Sequence, residues 1–236
     1  MVRDKIVLFD VDNTLLYSGG AGSLAMRRAF ESLHGIADGF RRVEFSGRTD
    51  WAILRDAMRV HGLLDSALDG ADGFRPAMAR FTAAYLPLLE AALQEVDGGR
   101  AMPGVAELLA ALSSRDARSG LATGNFRQAA LLKLRHFGLD AHLPHEGGFG
   151  DDAEDRGELV AIAIERVAGD ERVDPRSVWV IGDTPLDIAA AQANGARSLA
   201  VATGPCSVEA LLDAGADVAV EDLSDTPAVL ATLLGD

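Results

Sequence analysis

The feature that most limits the fold is Ile6-Val7-Leu8-Phe9, an apolar run that stops at two carboxylates one residue apart, Asp10 and Asp12, followed by Asn13-Thr14-Leu15. Such a run ahead of charged residues reads as a β-strand that delivers acids to the edge of a core. Side chains at i and i+2 of an extended chain point the same way, so Asp10 and Asp12 can face one pocket while Val11 turns inward. At ~4 Å and an effective dielectric of ~20, the two charges would repel by ~4 kcal/mol. A bound cation resolves that repulsion most simply, and magnesium suits carboxylate and phosphate oxygens.

Short apolar runs recur in the second half, at 119–123, 178–182, 197–202 and 217–220. Helical periodicity fills the intervals at 104–113, 126–137, 157–168, 186–193 and 207–214, with Gly138 and Asn194-Gly195 placed as left-handed helix stops. Strands alternating with helices predict an α/β protein, a parallel sheet covered on both faces, formed by residues 1–16 and 101–236. From 17 to 100 the pattern changes to helices alone, at 23–34, 50–61 and 74–95, which predicts an inserted all-helical cap. Gly19-Gly20-Ala21-Gly22 opens this insertion, and Gly98-Gly99 with Pro103-Gly104 closes it. These residues suit two hinges of a moving lid, or the tight turns of an insertion that stays in place.

With 236 residues, 48% of them hydrophobic, the chain can bury one substantial core and a smaller accessory one. Cys206 is the single cysteine, so an internal disulfide or a cysteine metal cluster is ruled out and a reducing, cytoplasmic setting is expected. No apolar run approaches the ~20 residues of a membrane span, and the opening Met1-Val2-Arg3-Asp4-Lys5 leads into a strand too short for a secretory signal. A formal charge of −14 argues against nucleic acid or anionic membrane as a partner. An anionic substrate must then be held by local cations. Either a monomer or a homodimer is compatible with this surface.

Ligands of an open parallel sheet sit beyond the carboxyl ends of its strands. Four polar sets fall there: Asp10 with Asp12; Thr123-Gly124-Asn125; Arg156 at the entrance to a helix; and Gly182-Asp183-Thr184-Pro185-Leu186-Asp187. In this order, across nearly the whole chain, they resemble the haloacid dehalogenase superfamily, in particular its phosphatases with a helical cap after the first strand, such as phosphoglycolate phosphatases. Asn13 departs from the glycine common at its position, though Asn tolerates left-handed backbone. Arg156 stands where lysine is common, and its guanidinium fork can hold a phosphate oxygen.

The resemblance implies a catalytic set of Asp10, Asp12, Thr123 and Arg156. Asp10 would be the nucleophile that takes up the phosphoryl group. Asp12 would protonate the leaving oxygen and later accept a proton from water. Magnesium would be held by Asp10, Asp183 and the backbone carbonyl of Asp12, with Asp187 in support. Thr123, Gly124, Asn125 and Arg156 would surround a small phosphorylated metabolite.

In the cap, Gly47-Arg48-Thr49-Asp50 puts a cation before a helix that Asp50 could cap; Arg48 would reach the far end of the substrate or simply lie on the surface. The glycines at 19, 20 and 22 lack dinucleotide-loop spacing, and the five histidines lack metal-ligand spacing. Trp51, Trp179 and the phenylalanines read as core. A phosphomutase resembling β-phosphoglucomutase would share every core residue. A dehalogenase has no need of Asp12. A phospho-accepting receiver domain would lack the 80-odd-residue insertion.

Overall fold

The computed structural model describes residues 5–64, 71–115, 117–143 and 145–235, so the opening Met1 to Asp4 lies outside the described residues. Its central strand is β1 (Ile6–Phe9), in which all four side chains are fully buried. An apolar run with no polar alternation is stable only where helices cover both sheet faces. Six parallel strands pair in the order β5-β4-β1-β6-β7-β8, with β4 at Arg118–Ala122, β5 at Gly147–Gly148, β6 at Val178–Gly182, β7 at Arg197–Val201 and β8 at Val218–Val220. The chain lays β4 and β5 on one side of β1 and then crosses to place β6, β7 and β8 on the other. The carboxyl ends of β1, β4 and β6 therefore flank the crevice where the winding reverses.

The period-two alternation of the strands feeds two cores. Val7, Phe9, Leu121, Trp179 and Ile181 pack with α4 (Val105–Ser114), α5 (Arg127–His136) and α9 (Thr226–Leu234). Ile6, Leu8, Val178 and Val180 pack with α6 (Arg156–Ala168) and α7 (Pro185–Ala193). A shorter helix, α8 (Val208–Asp213), precedes β8. Trp179 is core as expected, and its Nε1 donates to the Leu233 carbonyl at 3.1 Å.

Between β1 and β4 the chain leaves the sheet through a two-residue strand, β2 (Leu16–Tyr17), and returns antiparallel to it through β3 (Arg100–Ala101). Between these limbs lie α1 (Ala21–His34), α2 (Asp50–Val60) and α3 (Ala71–Glu95), with their own aromatic core of Phe30, Phe40, Trp51, Phe74, Phe81 and Tyr85. Gly19 and Gly20 take φ of 66° and 89° at the entry, and Gly98 takes 86° at the exit. Phe126 and Ala129 of the sheet-bearing part join the helical core, so the two parts share a packed boundary. No helix among the described residues is long and apolar enough to cross a membrane.

The helices and strands fall close to their expected positions. The additions are β2, β3, β5 and α9. The two glycines of β5 carry no apolar signal; they become a strand because their backbone pairs with Leu121 and Ala122.

Candidate active site

The loop after β1 is held by its own backbone. The Asp10 N–H donates to Ile181 O at 2.9 Å, which carries the β1–β6 ladder one residue past the strand. Leu15 and Leu16 N–H both return to Val11 O, and Asn13 turns the chain with φ 58°, the left-handed geometry its side chain tolerates. Asp10 lines the cavity while Val11 packs in the core with Val7 and Phe9, the alternation expected of extended chain.

Three acids converge from two strand ends. Carboxylate oxygens of Asp10, Asp183 and Asp187 lie within 4.8 Å of one another, all buried. Arg156, at the start of α6, is their counter-charge: its Nη2 lies 3.1 Å from Asp10 Oδ1 and also donates to Asp187 Oδ1. Its Nη1 donates to the carbonyl of Gly47 in the insertion, at 3.0 Å. Asp187 Oδ2 accepts from the Thr184 N–H and hydroxyl at 3.1 and 2.7 Å, a capping box at the start of α7. Both Asp187 oxygens are thus engaged, and Asp10 and Asp183 are the freer donors.

Electrostatics follow from this crowding. Burial raises the Asp10 carboxyl to about 6, against the pull of Arg156 and with a further push from Asp187 and Asp12. Asp183 rises to about 8, first through burial and then through Asp10 and Asp187. Burial opposes the charge of Arg156, but Asp187 and Asp10 outweigh it and raise its pKa above the ordinary value. Asp183 Oδ2 is buried without a hydrogen-bond partner among the described residues. Orphaned buried oxygen in a set of hard carboxylate donors fits a small divalent cation, because an ion would satisfy that oxygen and relieve the repulsion that raises both acids.

The Asp12 carboxylate stands apart from this trio. Its Oδ2 accepts from Lys133 Nζ at 2.6 Å and from Asn125 Nδ2 at 2.9 Å, and Lys133 also donates to Asn125 Oδ1 at 2.6 Å. Metal ligation by Asp12 would therefore run through its backbone carbonyl, the atom the family resemblance implies. Thr123 is fully buried; its hydroxyl accepts from Asn125 N and Nδ2 at 3.3 and 2.9 Å, while its N–H donates to Gly148 O. Lys133 belongs to none of the four strand-end sets read from the sequence. The available signal was a lysine on the buried face of α5, beside Ala129, Ala130 and Leu134, where the helical period calls for an apolar residue.

A cavity of about 600 Å³ opens over these groups, lined by Asp10, Asp12, Gly124, Asn125, Arg156 and Asp183 from below and by Arg48, Phe45, Ile53 and Tyr85 from the insertion. Thr123 and Asp187 do not line it. Arg48 borders the cavity with its guanidinium paired to Asp56 at 2.7 Å. Asp50 does not cap its own helix: Thr49 does so, accepting from Ala52 N at 3.1 Å. The Asp50 carboxylate instead reaches the sheet-bearing part and accepts from Phe126 N at 2.8 Å, just ahead of α5, because its N–H is drawn to Gly124 O at 2.6 Å. Gly124 is required for that approach, since a Cβ there would lie 2.3 Å from the Arg48 carbonyl. Among the described residues no histidine joins a cluster of potential metal ligands. His61 contacts Gly39 O, and the His34 ring lies tilted against Phe30.

Residues 5–195 match the model of the haloacid dehalogenase-like hydrolase family. The chain is 28% identical over 204 residues to a phosphoglycolate phosphatase of Rhodospirillum rubrum, covering 85% of this chain and 80% of that one. It is 25% identical over 201 residues to the tyrosine-protein kinase PtkA of Mycobacterium tuberculosis, covering 85% of this chain but only 62% of the relative. A solved structure from Thermotoga maritima, provisionally assigned as a beta-phosphoglucomutase, superposes with a TM-score of 0.62 at 26% identity, over 98% of this chain and all of the other.

Proposed function

Because the chain belongs to the haloacid dehalogenase-like hydrolase family, we propose that it is a magnesium-dependent phosphatase acting on a small phosphorylated metabolite through an aspartyl phosphate on Asp10. One observation carries this reading: two carboxylates of a single loop are given opposite surroundings, Asp10 among buried acids and Arg156, Asp12 beside Lys133 and Asn125. Acids that share a loop but not an environment suit different chemical tasks.

Asp10, with Arg156 3.1 Å from its Oδ1, attacks phosphorus in line as a carboxylate. Asp12 donates a proton to the departing oxygen and later takes one from the hydrolytic water. Arg156 meets the nonbridging oxygens, and Thr123 supports the floor through Asn125. Magnesium, held by the carboxylates of Asp10 and Asp183 and the carbonyl of Asp12 with Asp187 behind them, would offset the charge of the incoming phosphate. Residues 17–100 act as a cap that excludes water from the reaction, and Gly124, Arg48 and Asn125 line the space left to the substrate.

Phosphoglycolate is the leading substrate by similarity to the Rhodospirillum rubrum enzyme. A cytoplasmic monomer or homodimer is the proposed setting. The same site would serve a phosphomutase, and the cavity of about 600 Å³ has room for a hexose phosphate, which keeps that second reading in view.

The test is phosphate release from p-nitrophenyl phosphate, phosphoglycolate and hexose phosphates with and without magnesium. Phosphatase activity lost in Asp10→Asn supports the proposal. Undiminished activity in that variant removes the nucleophile, and isomerised hexose phosphate in place of free phosphate selects the mutase.

A further inference from the structure

We propose that Lys133 is a positioning residue that holds Asp12 at the leaving oxygen through a bridge with Asn125. This rests on the phosphatase reading above, and extends it to a residue two helical turns away from the Thr123-Gly124-Asn125 loop.

Lys133 is only 3% exposed, in the second turn of α5 and on the face that otherwise buries Ala129, Ala130 and Leu134. A buried ammonium is costly unless it is paired and hydrogen-bonded. Lys133 meets that cost with two short contacts, at 2.6 Å to Asp12 Oδ2 and 2.6 Å to Asn125 Oδ1. Asn125 closes the ring by donating to the same Asp12 oxygen at 2.9 Å, and its own amide is anchored on the Thr123 hydroxyl at 2.9 Å. Both donors converge on Oδ2, so the rotation of the Asp12 side chain is set and Oδ1 is left for the substrate. Gly22 of α1 covers the ammonium from above, where a Cβ would lie 3.2 Å from Nζ. The lysine borders the cavity beneath the insertion, and its two contacts, to Asp12 Oδ2 and Asn125 Oδ1, direct its charge at Asp12.

The proton balance gives this position a purpose. As the Asp10 oxygen bonds to phosphorus, the P–O bond to the leaving group breaks, its electron pair stays on the leaving oxygen, and the Asp12 proton joins it to make the alcohol. Asp12 is then an anion beside Lys133. When water attacks the aspartyl phosphate, Asp12 takes the water proton, the bond from phosphorus to Asp10 breaks, and inorganic phosphate leaves. Held by Lys133 and Asn125, Asp12 stays within reach of the reacting oxygens in both half-reactions. Loss of positioning by about 1 Å can cost on the order of 10²-fold in rate.

The test is a double-mutant cycle on the magnesium-loaded enzyme with phosphoglycolate and p-nitrophenyl phosphate. Lys133→Met should lower kcat by roughly 10- to 100-fold. In an Asp12→Asn background, the same change should lower it no further, because the residue through which it acts is already gone. Inhibition by inorganic phosphate should stay within about threefold of the parent enzyme, since Arg156 and the acids beside it keep their contacts. Losses that multiply across the cycle, or a phosphate inhibition constant that rises with the kcat loss, would overturn the assignment. If Lys133→Met fails to fold, Asn125→Ala breaks the bridge with the lysine in place and must show the same non-additivity with Asp12→Asn. If the parent enzyme forms no phosphoenzyme, or Asp10→Asn keeps full activity, it is the phosphatase reading that fails instead.

Discussion

Asp50→Asn would measure how firmly the insertion is seated on the sheet-bearing part. Asp50 accepts from the Phe126 N–H across that boundary, and burial raises its carboxyl from 3.8 to about 7 despite the pull of Lys133 and of that N–H. Moving a carboxyl from 3.8 to about 7 on folding corresponds to roughly 4 kcal/mol. An acid with a raised pKa keeps its proton in the folded state after the unfolded chain has released it. Between about pH 4 and 7 the folded protein therefore binds more protons, and its stability is lost as pH rises through that window and levels off above it. Asparagine does not titrate, yet its amide oxygen can still accept from Phe126. The unfolding free energy of the variant relative to the parent should thus improve by up to roughly 4 kcal/mol from pH 4 to pH 8. Asp10 and Asp183 titrate in both proteins and cancel to first order in the difference. Urea unfolding followed by tryptophan fluorescence, without divalent ions, reads this directly. A difference that stays constant within about 0.5 kcal/mol across the window would refute the reasoning, because the carboxyl would then still be in water when the protein is folded.

Magnesium at 100 times its Kd should raise the unfolding free energy by about 2.7 kcal/mol, and Asp183→Asn should remove most of that gain in thermal scans. Because Asp183 is pushed up to about 8 and Asp10 to about 6, the ion must displace protons, so calorimetry should show proton release and weaker binding as pH falls from 8 to 6. Gly124→Ala sets a methyl group against the Arg48 carbonyl; denaturant unfolding should show a loss of about 1–3 kcal/mol. Arg48→Ala should raise KM for phosphoglycolate several-fold while sparing kcat, and a fall in kcat alone would argue that Arg48 serves the chemistry rather than the remote end of the substrate.

Much of the architecture could be read from local pattern. The run ending at Asp10 is a strand because its apolar residues are contiguous, and α4 to α8 lie where apolar residues recur at helical period. The left-handed turn at Asn13 follows from a side chain that tolerates it. Asp183 and Asp187 follow a strand end, as Asp10 does, and strand ends meet in a parallel sheet. What escaped depends on partners distant in the chain. β5 is two glycines that pair only because Leu121 lies alongside them. Asp50 abandons its own helix for Phe126, 76 residues away, while Thr49 takes over the cap.

Lys133 marks the boundary most clearly. By itself the sequence determined the periodicity of α5 and the type of every residue on it, and so which face is buried. Only the packed structure decided that this face would carry a charge next to Asp12, 121 residues away. The physical reason is range: backbone propensity and apolar period act within a turn or a strand, whereas desolvation and charge pairing depend on what the completed fold brings within about 3 Å.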